Sequence, residues 1–527
     1  MFWVDATADE IIARYKNKID SGEPLIVRDE KTASGRVHVG SLRGLVIHGV
    51  ISKALSDKGI KNTFYYEIND FDVMDGLPND IDKNIFEQYM GRLLCDVPSP
   101  DGIAKNYAEY FGKEFMQVIK ELGFEPTFLR SSELYKNGTY NDAIKIALDN
   151  GDLIRDLYFK ISKSQKDSDW LPLNPVCEKC GKVGTTKAVS WDGEQVEYVC
   201  GDYVKWAKGC NHKGKISPYN GNAKLPWKVE WAAKFYALDV DVEGAGKDHS
   251  TKGGSRDLAN EISKQVFNKE SPYDIPYEFL LIGGKKMSSS KGLGATSRDM
   301  ANLLPPEILN LLLLYKKPNQ ALDFSPDEDA IPFLFDTYDR FAVKYFNNDQ
   351  EGYEARVFEL VNNNLEGDML RKRFLPRFSQ IVFLVQMPHL DIFKEIEASE
   401  KITLTDSDKK EIEHRIKYAK IWLDSYAPEK FRFEIQNTAL PETKNFTEKQ
   451  KKALSLLLEY VKSKEKVIGE ELHTRLHDIR VEADIDPKEF FSAIYMTVLG
   501  KDSGPKAGWF LSVIDKEILE KLLSEVV

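Results

Sequence analysis

The hydrophobic positions of the N-terminal half switch repeatedly between short continuous runs and a helical repeat. Leu25-Ile26-Val27, after Pro24 and before Arg28, reads as a short buried strand. A glycine-marked loop follows, and then Leu42, Leu45, Val46, Val50 and Leu55 recur on one helical face. Thr63-Phe64-Tyr65-Tyr66-Glu67-Ile68 predicts a second strand. An amphipathic helix is expected from Tyr107 to Leu122, and Glu125-Pro126-Thr127-Phe128-Leu129-Arg130 predicts a third strand. Strands separated by helices favour a parallel, doubly wound α/β sheet, which binds ligands at the carboxyl ends of its strands.

The texture changes around Leu171. Asn174 to Gly221 is rich in Gly, Cys and Lys with weak periodicity, the mark of a small insertion. The α/β pattern resumes at Leu225-Pro226-Trp227, and Tyr277-Glu278-Phe279-Leu280-Leu281-Ile282 predicts another buried strand. After Leu304-Pro305-Pro306 the pattern is almost wholly helical. Pro306 suits a first helical turn, and Thr447 with Gln450 forms a capping-box signature before Ala453, Leu456, Leu457 and Tyr460. The C-terminal part is therefore expected to be an all-α region following an α/β body.

At 527 residues the chain is long enough for about three domains. No apolar run reaches the ~20 residues of a membrane span; Ile308 to Tyr315 is core-sized. Asp5, Asp9 and Glu10 precede any basic cluster, unlike a secretory signal, so a cytoplasmic protein is expected. The net charge of -11 argues against bulk affinity for nucleic acid and leaves room only for local patches, such as Arg371-Lys372-Arg373 with Arg377.

Four of the five cysteines, Cys177, Cys180, Cys200 and Cys210, fall in the insertion. A C-x2-C pair followed by two further thiols reads as a closed, tetrahedral structural zinc site. Gly209 permits a tight knuckle at Cys210, which favours it as fourth ligand; His212 is the alternative. Cys95 stands alone and is expected to be a small buried hydrophobe.

Two motifs carry the chemistry. The first is Ala33-Ser34-Gly35-Arg36-Val37-His38-Val39-Gly40-Ser41, a glycine-marked turn from strand to helix. There backbone N–H groups can approach a phosphate, His38 can donate to a phosphate oxygen, and Gly40 leaves room for a purine or ribose. The second is Gly283-Gly284-Lys285-Lys286-Met287-Ser288-Ser289-Ser290-Lys291-Gly292. Lys286 and Lys291 are mobile charges suited to a triphosphate, the three serines supply hydroxyl donors, and the glycines could hinge the loop over a nucleotide.

In this order and at this distance the two motifs resemble the ATP-binding signatures of class I aminoacyl-tRNA synthetases. The match extends to Leu225-Pro226-Trp227-Lys228-Val229-Glu230-Trp231-Ala232-Ala233-Lys234 and to Gly246-Lys247-Asp248-His249-Ser250-Thr251-Lys252-Gly253-Gly254-Ser255. It covers most of residues 1–320 and recurs at Gly504-Pro505-Lys506-Ala507-Gly508-Trp509, and it is similar above all to the class I lysyl-tRNA synthetases. Ser41 stands where the first signature usually ends in a second histidine, and Ser289 where the second usually has lysine. Glu30 stands where glycine is expected in the strand-end loop.

The resemblance implies a Rossmann-like catalytic domain split by a zinc insertion. Its halves would be residues 1–170 and 225–300, with the insertion at 171–224, a helical tRNA-stem region at 301–380 and an anticodon-binding domain at 381–527. It implies activation of L-lysine by ATP with Mg²⁺, and transfer to tRNA(Lys), by a monomer that uses neither DNA nor membrane. His38, Ser41, Lys286, Ser289 and Lys291 would act on the phosphates; Gly35, Gly40, Asp248, Met287 and Ser288 would complete the ATP site. A lysine pocket needs a carboxylate for the ammonium and an apolar wall for the stem. Asp29, Glu30, Glu67 and Asp70 are candidate acids, with Thr32, Trp231 and His249 as further contacts. Trp509, Phe374 and Trp422 are candidate base-stacking platforms, each weighed against a core role. Competing readings are a class I synthetase for glutamate or arginine, one for cysteine (disfavoured, because that pocket needs an open zinc), and an RNA-binding paralogue that does not charge tRNA.

Overall fold

The computed structural model describes residues 1–286, 295–349, 352–362, 370–387 and 389–527, with backbone only at Lys285 and Lys286. The chain forms two units. One is Met1–Ser325 with Arg340–Arg371; the other is Pro326–Asp339 with Lys372–Val527.

The first unit is mixed α/β. Strands β1 (Leu25–Thr32), β2 (Asn62–Asn69) and β3 (Thr127–Arg130) pair in parallel in that spatial order. Each lies on a predicted run. On the other side of β1, Val27 bridges Val242, Val242 bridges Tyr273 and Gly246 bridges Tyr277, all parallel. Two further extended segments therefore continue the sheet, although no strand is predicted over the glycine-rich Val242–Gly246. Leu25 to Asp29 of β1 are buried, as expected of a parallel sheet covered on both faces.

The run Tyr277 to Ile282 divides between two sheets. Tyr277 belongs to the edge of the parallel sheet, while Leu280–Ile282 pairs with Leu322–Phe324 and with Lys285–Lys286. Only Leu280 of that strand is fully buried, so it cannot serve as a central strand of the main core.

Helix Ser41–Asp57 follows the first signature and is buried almost continuously from Leu42 to Ile51. It tolerates no bulk at Gly44, where an added Cβ would meet the Tyr277 hydroxyl at 2.6 Å and Asp29 Oδ2 at 2.8 Å. Helix Pro306–Leu314, with Pro at its start as predicted, is buried from Glu307 to Leu314.

The insertion enters and leaves through one antiparallel pair, Asn174–Pro175 with Ala223–Lys224. Beyond it, Thr186–Trp191, Val196–Cys200 and Lys213–Ile216 form an antiparallel sheet. Val183 and Gly184 donate to the Gly91 carbonyl at 2.7 and 3.0 Å, tying the insertion to the loop that follows β2.

The second unit is largely helical, with long helices Asp406–Ser425, Glu448–Ser463, Gly469–Glu482 and Pro487–Leu499. The Thr447–Gln450 capping box is formed. Trp422 is fully buried and donates to Pro326 O at 2.7 Å, which makes it a core residue and not a platform. Arg373 is buried against Glu411 at 2.8 Å and so does not contribute a free charge to its basic run. No helix among the described residues is long and apolar enough to cross a membrane.

Candidate active site

A cavity of about 540 Å³ opens at the carboxyl ends of β1 and β2. Five chain segments build it: the end of β1 with the first signature, the end of β2 through Asp75, the helix Trp227–Ala237, the strip Glu243–His249, and Tyr277–Leu280.

The first signature supplies His38, Gly40 and Ser41 to one wall, with Gly35 buried beneath. Gly40 stands at the start of helix Ser41–Asp57, so the helix N-terminus faces the cavity. His38 bridges Thr296, Val39 N donates to Ala295 O at 3.1 Å and Ser297 N to Val37 O at 2.7 Å. The residues that follow the second signature are thus hydrogen-bonded to the first signature. Lys286 lies in a short strand paired with Leu281–Ile282. Met287, Ser288, Ser289 and Lys291 fall outside the described residues.

Aromatic rings make the opposite wall. Trp231 is stacked on Trp227 with centroids 6.1 Å apart, and His249 stands edge-on to both at 5.8 and 5.6 Å. Trp231 and His249, singled out separately in the sequence, therefore meet. Thr32 also lines the cavity and donates to Asp72 Oδ2 at 3.3 Å. Asp248 lines its mouth and is exposed.

The floor is a network of buried charge. Arg28, fully buried, donates to Glu67 at 2.5 Å, to Glu243 at 2.5 Å and to Glu30 at 2.5 Å. Lys234 reaches Glu30 at 2.6 Å and Glu67 at 3.0 Å; Lys224 reaches Glu230 at 2.7 Å. Burial by itself would raise the Glu30 carboxyl, but Lys234 and Arg28 outweigh it and hold it at about 2. Burial pushes Lys31, which also lines the cavity, below the ordinary lysine value. The lining carboxylates include Asp29, Glu30, Asp72, Glu230, Glu243 and Asp248, against Lys31 as the lining lysine, so the interior favours a cation.

Glu67 and Asp70 lie outside the cavity wall. Glu67 is held by Arg28, Lys234 and the Ser131 hydroxyl, and Asp70 by the Ser132 amide at 2.7 Å and hydroxyl at 2.5 Å. Asp72 and Glu243 line the cavity without being singled out by the sequence, and Trp227 and Glu230, within the matched run Leu225–Lys234, line it without a role assigned there. The Glu230–Lys234 pair, one helical turn apart on either side of Trp231, was the available signal.

In the insertion the ligand atoms of Cys177, Cys180, Cys200 and Cys210 all lie within 4.8 Å of one another. Sγ of Cys177 is 3.6 Å from that of Cys210, and Sγ of Cys180 is 3.8 Å from that of Cys200. These separations are far longer than a disulfide and match the edge of a tetrahedron of sulfurs about 2.3 Å from a central ion. His212 stands outside this cluster, beside Glu178 at 4.0 Å.

Comparison with known proteins adds an independent finding. A family profile described as tRNA synthetases class I (K) matches residues 1–364. A lysine–tRNA ligase from Methanosarcina barkeri is 33% identical over 99% of this chain and 97% of its own length. Lysine–tRNA ligases from Methanocaldococcus jannaschii, 33% identical, and Archaeoglobus fulgidus, 31% identical, each match 98% of this chain and 98% of their own length.

Proposed function

The chain belongs to the class I lysyl-tRNA synthetase family, and we propose that the cavity beneath its first signature is where lysine is activated. The protein is a lysine–tRNA ligase, an ATP-dependent enzyme of protein synthesis. The lysine carboxylate attacks the ATP α-phosphate, forming lysyl-adenylate and releasing pyrophosphate. A ribose hydroxyl at the 3′ end of tRNA(Lys) then takes the lysyl group and frees AMP.

The chain's own contribution is placement and electrostatics. His38 and Ser41, with the helix N-terminus behind them, stabilise charge on the α-phosphate side. Lys286, Ser289 and Lys291 hold the β,γ-phosphates, with Met287 and Ser288 alongside, and Gly35 and Gly40 leave room for close approach. Asp248 binds the ribose. Mg²⁺ bound with ATP would supply charge neutralisation for the departing pyrophosphate. Thr32, Trp231 and His249 contact lysine, its methylene stem lying against the indole. Glu67 and Asp70 act from behind the wall, which they do not line; Asp72 and Glu30, which line it, present carboxylate to the side-chain ammonium.

The same reading makes the body a Rossmann-like domain split at 171–224 by an insertion that four thiolates fold around structural zinc. It gives the region 301–380 to the tRNA stem and 381–527 to the anticodon, and it describes a cytoplasmic monomer. The observation that supports a cationic amino acid is the surplus of carboxylates around a cavity walled by Trp231 and His249, where a second carboxylate, as in glutamate, would be repelled, and the family match favours lysine over arginine. Amino-acid-dependent ATP–pyrophosphate exchange, run over all twenty amino acids with and without total tRNA, is expected to proceed with lysine. Exchange with another amino acid instead would overturn the pocket assignment. No exchange at all would favour a paralogue that does not charge tRNA.

A further inference from the structure

Helix Ser41–Asp57 carries a histidine that the reaction above leaves unused. His48 is fully buried and each ring nitrogen has one close partner: Nδ1 is 2.7 Å from Gly44 O, and Nε2 is 2.7 Å from Gly244 N. A backbone amide only donates, so Nε2 must accept and carries no proton. The proton then sits on Nδ1 and is donated to Gly44 O.

Charged groups around the ring pull the other way. Asp29 Oδ2 on β1 lies 3.6 Å from Nδ1, and Glu243 and Asp274 act from further off. Burial disfavours the imidazolium and Asp29 favours it, the balance lying above the ordinary histidine value. The Gly244 bond decides between them, because an imidazolium would set its Nε2–H against the Gly244 N–H.

Gly244 is the point at which this matters. An added Cβ there would lie 2.2 Å from Ile275 O, so the backbone passes in close contact with its neighbour on one side. Just beyond, Tyr277 N donates to Ala245 O at 3.0 Å and Lys247 N to Tyr277 O at 2.8 Å. The opposite side is held by His48. Gly244, Ala245, Gly246 and Asp248 all line the cavity.

We propose that His48 is a positioning residue, whose neutral imidazole pins the Gly244–Asp248 strip to the helix that begins at the first signature. It sets the separation between the phosphate wall, at His38 and Ser41, and the ribose side, at Asp248. The proposal rests on the reading that a nucleotide spans these two walls.

The test compares wild type, His48→Gln and His48→Leu in lysine-dependent exchange and in calorimetric titration with Mg²⁺–ATP. Gln can carry its amide oxygen to the place of Nε2 and accept from Gly244; Leu fills the volume without an acceptor. His48→Leu should weaken ATP binding and raise the ATP KM on the order of tenfold or more, the scale of a buried amide left unpaired. The lysine KM should move less, and His48→Gln should recover most of the loss. In protein carrying ¹⁵N-histidine, the imidazole signal lost in both variants should be that of the Nδ1–H tautomer. Wild-type ATP binding in His48→Leu, no rescue by Gln, or an Nε2–H tautomer would each overturn the proposal. If wild type showed no exchange with any amino acid, the functional reading would fail, while the ATP titrations and the tautomer would still decide the role of His48.

Discussion

Asp72 is a lining carboxylate of the cavity that no cation holds closely. Its closest cation, Lys224, stands 3.8 Å away, whereas Glu30, Glu230 and Glu243 each hold a cation at 2.7 Å or closer. A cationic ligand entering the cavity gains most from the acid whose charge is least spent. Asp72→Asn keeps the shape and can still accept one of the two bonds, from Val73 N or from Thr32, but the charge is gone. The lysine KM should rise roughly 10- to 100-fold, as for a charge-assisted hydrogen bond worth about 1.5–3 kcal/mol, with the ATP KM little changed. An unchanged lysine KM would transfer the role to Glu30. The position of Asp72 just past β2 is visible in the sequence, but its lack of a close cation is not. Glu67 looked equally available there, yet Arg28 from the neighbouring strand and Lys234 from a distant helix claim it. Which carboxylate is spent depends on contacts between residues some 40 to 200 positions apart, on which local pattern is silent.

At the scale of elements the sequence was most legible where one pattern governed one environment. The runs at Leu25 and Thr63 became β1 and β2, each with a buried stretch as in a strand covered on both faces, while the short run at Thr127 became β3 without a fully buried residue. The strip Val242–Gly246 carries a weak strand signal because Gly244 serves a close backbone approach to Ile275 O. The run at Tyr277 predicts one strand but divides between two sheets, since local pattern does not specify to which sheet a short apolar run attaches. The cysteine cluster was legible as a set, and the geometry selects Cys210 over His212 as its fourth corner. Val183, Ala188 and Val196 tie the insertion into the main core, whereas the end that carries the cysteines buries only Cys177, Tyr198 and Cys200 as its own small cluster, so a metal there is expected to stabilise that end. Cys177→Ser should lose stoichiometric zinc by elemental analysis and open the segment between Pro175 and Ala223 to proteolysis. Full retention of metal, or a metal-free insertion that resists protease, would count against the four-thiolate site.

Over the whole molecule, a surplus of acid coexists with deeply buried arginines, and each unit centres one such cluster on its own. In the α/β unit Arg28 gathers Glu30, Glu67 and Glu243; in the helical unit Arg415 and Arg373 gather Glu411 and Asp339. Glu411 is nearly fully buried and accepts from Arg415 Nε at 2.7 Å and Arg373 Nε at 2.8 Å. Burial would raise its carboxyl; the two guanidinium groups outweigh burial and bring it from 4.5 to about 2. Between those values the unfolded chain binds the proton and the folded chain refuses it, so stability rises with pH across the window. The contribution, on the order of 3 kcal/mol, is complete above about pH 4.5 and is lost as pH falls through about 2. Glu411→Gln removes the titration and leaves the guanidinium groups short of one charge. In calorimetry at about pH 6 the helical unit of this variant should melt well below wild type. At about pH 3 the gap should shrink by more than half, because wild-type Glu411 has by then lost most of its advantage over the unfolded chain. A gap that stays constant between the two pH values would mean that Glu411 titrates alike folded and unfolded. Its ion pairs would then hold position without contributing to the pH dependence of the fold.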